Sequence, residues 1–202
     1  NPVLKYDHTR WYENHVWLHK QPLPLWLMAL GYKTFGINEF VTRLPSLILS
    51  CLLILVTFIL GKDFFSKKTG LLAAFFVAIN GLIIEIGAGR VATDHYDLQF
   101  MVFITMAVLF AWNSARSTHI YWSVLSGLFI GFALITKWLP CLIVLPVHFL
   151  FLRSHNAGKK QIFFNLSASV LSFVTLALPW QIYILNSFPL DARGKRIRWP
   201  PG

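Results

Sequence analysis

The sequence predicts an all-α integral membrane protein: a multispanning helical bundle of about six spans, preceded by a polar segment and a helix lying in the membrane interface. Two bulk observations point there. Of the 202 residues, 56% are hydrophobic and only 13% are charged, against about 25% charged in a typical soluble domain. The apolar residues form uncharged runs close to the ~20 residues that cross a bilayer, and Lys and Arg fall in the short breaks between them. A net charge of +10 therefore speaks for membrane topology and anionic lipid, not for nucleic acid, which would gather the basic residues into one stripe. Cys51 and Cys141 both sit inside apolar runs and indicate no disulfide framework.

Residues 1–38 form the first part, polar and aromatic-rich, with His8, His15 and His19. Its key stretch is His19-Lys20-Gln21-Pro22-Leu23-Pro24-Leu25-Trp26-Leu27. Each proline fixes its own φ and biases the residue before it toward extended geometry. The backbone around Lys20 is thus expected to be held. Leu25 to Phe35 is apolar around most of a helical turn and carries Trp26, which suits an interfacial helix. Lys20 then stands at the water–lipid boundary.

Residues 39–190 read as the bundle. Expected spans are Leu44–Gly61, Thr69–Gly89, Leu98–Ala115, Ile120–Thr136, Trp138–Leu152 and Gln161–Leu185. The second contains Glu85, the fifth carries Pro140 and Pro146, which predict a kink or a tilted, partly buried helix, and the last ends near Pro179-Trp180. Residues 191–202 are a basic tail. The chain starts at Asn1 without a methionine and ends in this tail, so it reads as a piece of a longer protein.

Orientation follows from the short breaks. One alternating set carries Lys62, Lys67, Lys68, Arg116, Arg153, Lys159 and Lys160; the other carries Arg90 and Lys137. The first set is expected on the cytoplasmic side. The N-terminal loop, the turn from Arg90 to Asp97, and Lys137 then share the extracytoplasmic face, with Lys20, Arg43, Glu85, Asp94, His95 and Asp97.

Ionised residues at a membrane surface tend to mark substrate paths or head-group sites. Lysine is a good point-charge partner for phosphate. Lys137 ends its span with no acid near it in sequence, which favours a phosphate contact. Lys20 suits the same role, or snorkelling beside its helix. Asp94 and Asp97 suit chemistry, and also the capping of the third span. Arg90 suits a substrate contact or an ion pair with Glu85, and Arg43 an interface anchor or a ligand. His8, His15, His19 and His95, with Asp94 or Asp97, form a loose set of metal-ligand types without fixed spacing. His119, His148 and His155 lie toward the other face and carry no assigned role.

Four motifs in order resemble the polyprenyl-phosphate-sugar glycosyltransferases of the multispanning GT-C fold, the protein mannosyltransferase and lipid A aminoarabinose transferase group. They are Lys20-Gln21-Pro22-Leu23 with Trp26-Leu27, then Arg43-Leu44-Pro45-Ser46, then the turn Arg90 to Asp97, and finally Ile135-Thr136-Lys137 with Pro179-Trp180 beyond. The resemblance implies sugar transfer from a polyprenyl-phosphate carrier to a lipid or protein acceptor on the extracytoplasmic face of the bacterial inner membrane, with inversion. It implies Lys20, Arg90 and Lys137 at the carrier phosphate and Asp94 or Asp97 at the acidic catalytic position. Position 19 is a metal-binding acid in some members and is His19 here, so a divalent metal is a possible cofactor. The acidic pair of the family's first external loop has no counterpart around Asp7 and Glu13. No glycine-rich loop marks a nucleotide site.

Two other readings stay open on the residues. A lipid or polyprenyl-phosphate transporter would show polar or broken helices near mid-membrane. A non-catalytic lipid-binding subunit would lack the upstream acids.

Overall fold

The structure is a computed structural model that describes residues 21–88 and 95–188. His19, Lys20, Arg90 and Asp94 lie outside the described residues. Among the described residues all regular structure is helical: α1 (Leu23–Phe35), α2 (Glu39–Phe64), α3 (Lys67–Ala78), α4 (Gly81–Gly87), α5 (His95–Arg116), α6 (Tyr121–Lys137), a 3-10 turn (Leu139–Ile143), α7 (Val144–Ser154) and α8 (Lys159–Ser187).

Helix α1 begins earlier than expected because its prolines start it. Pro22 is the N-cap in the helical region, Pro24 lies in the first turn, and the Trp26 N–H already donates to the Pro22 carbonyl at 2.9 Å. Proline is tolerated there, since first-turn N–H groups have no partner within the helix. The helix closes at Gly36, whose φ of 80° reverses the chain. Asn38 then caps α2 by accepting from the Val41 N–H at 2.9 Å. The Tyr32 and Thr42 hydroxyls, 2.8 Å apart, tie α1 to α2.

The six expected spans fall on α2, α3 with α4, α5, α6, the 3-10 turn with α7, and α8. By length and composition α2, α5 and α8 are long and apolar enough to cross a membrane, and α3 with α4 adds a fourth if the bent pair is one span. The second span is not continuous: its two helices meet at 57°. Asn80 causes the break by accepting from the Ile83 N–H at 3.1 Å and so starting a new helix. Pro140 and Pro146 sit in the opening turns of their helices, whereas Pro45 and Pro179 lie inside α2 and α8.

Helix α5 packs against α2, α6 and α7, and α6 packs against α8. One apolar cluster joins Phe103 and Ala107 to Ile130, Leu134, Cys141 and Val144; a second joins Leu53 and Ile86 to Leu98 and Val102. Where backbones approach most closely the sequence supplies glycine: a Cβ on Gly70 would lie 2.6 Å from the Phe58 carbonyl oxygen, and one on Gly127 would lie 2.2 Å from that of Ser169. Close crossing at small residues is how helices gain contact in lipid, where apolar burial drives little association. Phe75, Phe76, Phe163 and Leu171 are each more than half exposed, as lipid-facing side chains are.

The bundle has two distinct ends. At one, Arg116 of α5 reaches Asp63 of α2 at 3.2 Å, Lys62 stands 3.8 Å from the same carboxylate, and Trp112 packs edge-on to Phe64 and Phe151. Close to this end, a buried polar network joins α5, α6, α7 and α8. His148 Nε2 lies 2.9 Å from Ser114 Oγ and its Nδ1 3.2 Å from Ser169 Oγ. Ser114 and Ser123 are 2.7 Å apart, Ser123 donates to Asn165 Oδ1 at 2.7 Å, and Ser169 donates to the Ser123 carbonyl at 2.8 Å. With the Ser123 proton committed to Asn165, Ser114 donates to Ser123 and is left only an acceptor toward His148. The Ser169 proton is likewise committed to the Ser123 carbonyl, so both hydroxyls face the ring as acceptors, and a neutral imidazole, with one N–H, satisfies one of them.

Candidate functional site

Asp97 lies in the first turn of α5, and Lys137 is the last residue of α6. The two helices run antiparallel, so the start of one meets the end of the other. The Lys137 ammonium donates directly to the Asp97 carboxylate, and both side chains are about half exposed. Each charge also sits at the helix end whose dipole favours it, acid at the N-terminus and base at the C-terminus.

The backbone fixes where Lys137 ends. Trp138, the next residue, has φ 79° and ψ −150°. A bulky non-glycine residue in that region is an outlier costing about 1–3 kcal/mol, and such strain gathers at functional sites. The Trp138 N–H closes α6 on the Leu134 carbonyl at 2.9 Å, and its own carbonyl accepts from Cys141 Sγ at 3.2 Å. The chain thus turns sharply away just after the lysine.

This geometry revises one expectation. Lys137 does have an acidic neighbour, brought from forty positions away, so its charge is already partnered. Arg43 points back along its own helix to Glu39 at 3.8 Å, with both groups exposed, a contact of little energetic weight. Glu85 is exposed on α4; its expected partner Arg90 lies outside the described residues, as do Lys20, Asp94 and His19. Among the described residues no group of three or more His, Cys, Asp or Glu side chains is placed to hold a metal. His8, His15, His19 and Asp94, named above as metal-ligand types, lie outside the described residues.

Two of the motifs meet at the end opposite Asp63 and Arg116. Trp26 of α1 packs edge-on to Trp180 of α8 with centroids 5.3 Å apart, and Trp180 lies 5.8 Å from Tyr183. Beside α1, a cavity of about 420 Å³ opens between α1 and α2, lined by Leu27, Leu30, Gly31, Thr34, Phe35, Leu44, Pro45, Ile48, Leu49 and Phe103. Thr34 is the one side chain in that lining with a polar atom.

Sequence reasoning missed a set of polar groups at this end. Among the described residues, the fully buried Gln99 has no hydrogen-bond partner for either amide atom, and Gln21 Oε1, Trp180 Nε1 and Gln181 Nε2 are buried without one. A signal existed for Gln99, since it is a polar residue at the start of the run Leu98–Ala115. An orphaned buried amide costs about 1–3 kcal/mol. Gln99→Leu should therefore raise Tm by about 2–4 °C, the shift for ~1 kcal/mol in a chain of this size. Thermal unfolding in detergent checks this, and a lower Tm would mean that the amide is satisfied within the protein.

Fold and charge placement together define a multispanning helical membrane protein, with the Asp97–Lys137 pair and the unpartnered polar groups gathered at one end of the bundle. Comparison with known proteins narrows this. Residues 19–182 match the family described as dolichyl-phosphate-mannose-protein mannosyltransferase, and the chain belongs to that family. Among curated relatives, the undecaprenyl phosphate-alpha-4-amino-4-deoxy-L-arabinose arabinosyl transferase of Pseudomonas aeruginosa is 28% identical over 170 residues, 79% of this chain and 29% of the relative. An uncharacterized protein of Aquifex aeolicus is 26% identical over 85% of this chain and 34% of its own length. The apo crystal structure of ArnT from Cupriavidus metallidurans shares the fold with a TM-score of 0.67 at 18% identity, over 91% of this chain and 35% of that one. The chain thus spans about three tenths of the length of the curated relative first named.

Proposed function

We propose that this chain forms the carrier-binding part of a membrane glycosyltransferase that moves a sugar from a polyprenyl-phosphate carrier to a lipid or protein acceptor. The observation that carries this reading is the meeting of Asp97 and Lys137 at one end of the bundle, within a family whose relatives include a transferase named for an undecaprenyl phosphate-linked sugar. Lys20, Arg90 and Lys137 are the proposed contacts to the carrier phosphate, and Asp94 or Asp97 the acidic group facing the acceptor. The reaction takes place on the extracytoplasmic face of the bacterial inner membrane.

The chemistry suits these residue types. As the sugar leaves, its bond electrons pass to the lipid phosphate, and fixed ammonium groups stabilise that growing charge more than they stabilise the ground state. The carboxylate takes the proton of the attacking hydroxyl or amine, and direct displacement inverts the anomeric centre. The apolar cavity beside α1 supports the reading, since an isoprenoid chain needs an apolar surface of this kind. A transporter is the weaker alternative: the interior polar network is bonded within itself, and Asn80 at the helix break caps α4 instead of lining a path.

The test is binding of undecaprenyl phosphate to the purified chain in detergent. A charge-assisted hydrogen bond is worth about 1.5–3 kcal/mol, so Lys137→Ala and Lys20→Ala should each weaken binding by about tenfold or more. Equal affinity in all three proteins, or no binding in any, would overturn the assignment.

A further inference from the structure

Asp97 and Lys137 have so far been given separate tasks, yet they occupy each other. The lysine cannot hold both a carboxylate and a lipid phosphate without bringing two anions together, and like charges a few ångströms apart repel. The backbone keeps both residues where the two helix ends meet. Lys137 is pinned at the end of α6 by the reversal at Trp138, and Asp97 belongs to the first turn of α5. One of the anions has to yield.

From this geometry we infer that Asp97 is the resident counter-ion of Lys137 and that the carrier phosphate displaces it, so that the carboxylate is unmasked only when the carrier is seated. The inference rests on the carrier-binding reading above and adds a regulatory order to it: donor first, then acceptor.

Three observations favour exchange over a permanent bridge. Both groups are about half exposed, so an incoming anion can approach the ammonium from outside the bundle. Exposed pairs are weak, typically 0.2–1 kcal/mol, and the carrier phosphate, a diester with one charge while the sugar is attached, becomes a more highly charged monoester with three acceptor oxygens as the sugar leaves. The displaced Asp97 is not abandoned either. It remains on the N-terminal turn of α5, where the helix dipole and free N–H groups favour an anion.

The alternative is that Asp97 positions Lys137 for the phosphate, and the two ideas predict opposite signs. If Asp97 competes, Asp97→Asn should bind undecaprenyl phosphate about two- to fivefold more tightly than wild type, the energy of an exposed pair returned to the ligand. Asp97→Glu keeps the competing charge and should match wild type. Lys137→Ala/Asp97→Asn should be as weak as Lys137→Ala. A second readout needs no variant: labelling of the Asp97 carboxylate by a carbodiimide and an amine, followed by mass spectrometry, should increase when undecaprenyl phosphate is added to the wild-type chain.

Weaker or unchanged binding by Asp97→Asn, with wild type binding and Lys137→Ala not, overturns the displacement and leaves the carrier site standing. Unchanged or reduced labelling on addition of the lipid does the same. Absence of binding by wild type removes the carrier site itself, and this inference with it.

Discussion

Gly127→Ala is expected to unfold or loosen the bundle, lowering its stability by about 3 kcal/mol and its Tm by roughly 10 °C, the upper end of what overpacking costs. The added Cβ would lie 2.2 Å from the Ser169 carbonyl oxygen and 2.8 Å from both the carbonyl carbon and Cα of the same residue. These are backbone atoms, so no rotamer change relieves the contact and α8 must shift as a unit. Gly131, one turn on, is a useful contrast. A Cβ there meets Leu176 Cδ2 at 2.8 Å, the far end of a side chain that can rotate, although Leu176 Cβ and Phe173 Cα stand close behind at 3.1 and 3.3 Å. Gly131→Ala should therefore cost clearly less than Gly127→Ala. Thermal unfolding of both variants in detergent decides it, and equal small shifts would mean that the α6–α8 crossing is looser than described.

The second large effect is expected at His148. His148→Ala opens a cavity in a site with no exposure and leaves the Ser114 and Ser169 hydroxyls without their ring partner. Cavity and lost hydrogen bonds together should cost about 2–4 kcal/mol. Ser114→Ala removes one interhelical hydrogen bond and little volume, so it should cost only about 0.6 kcal/mol, the average for such bonds in membrane bundles. His148→Phe separates the contributions, because it fills the space while restoring no hydrogen bond. If His148→Phe is as stable as wild type, the histidine serves by volume alone. If it is nearly as destabilised as His148→Ala, the network holds the four helices in register.

Much of the fold was legible because bilayer crossing imposes one dominant requirement, long apolar stretches with charge at their ends. The runs around Leu44–Gly61, Leu98–Ala115 and Gln161–Leu185 announce α2, α5 and α8 in composition alone. The start of α1 was misjudged because a proline pair reads as loop in sequence and as a helix opening once its position in the first turn is known. The break at Asn80 was missed for a related reason. Asn80-Gly81 interrupts no hydrophobicity, and only the side-chain cap reveals it.

The candidate site was half legible. Lys137 and Asp97 could be singled out as ions at the ends of apolar runs, and the order of motifs tied them to a family. Their pairing could not be read, since sequence distance says nothing about which helix ends meet. The same holds for His148, which looked like a residue without a role and proves to be the hub of a network drawn from Ser114, Ser123, Asn165 and Ser169.

What the sequence by itself determined is the class: a helical membrane protein with its charges at the margins, because the free energy of placing ions in hydrocarbon is a property of each segment alone. What only the tertiary structure decided is which charges neutralise each other, which polar groups are satisfied and which are left waiting. Those depend on distances between helices, and the crossing of α6 over α8 and the antiparallel seating of α5 on α6 set them.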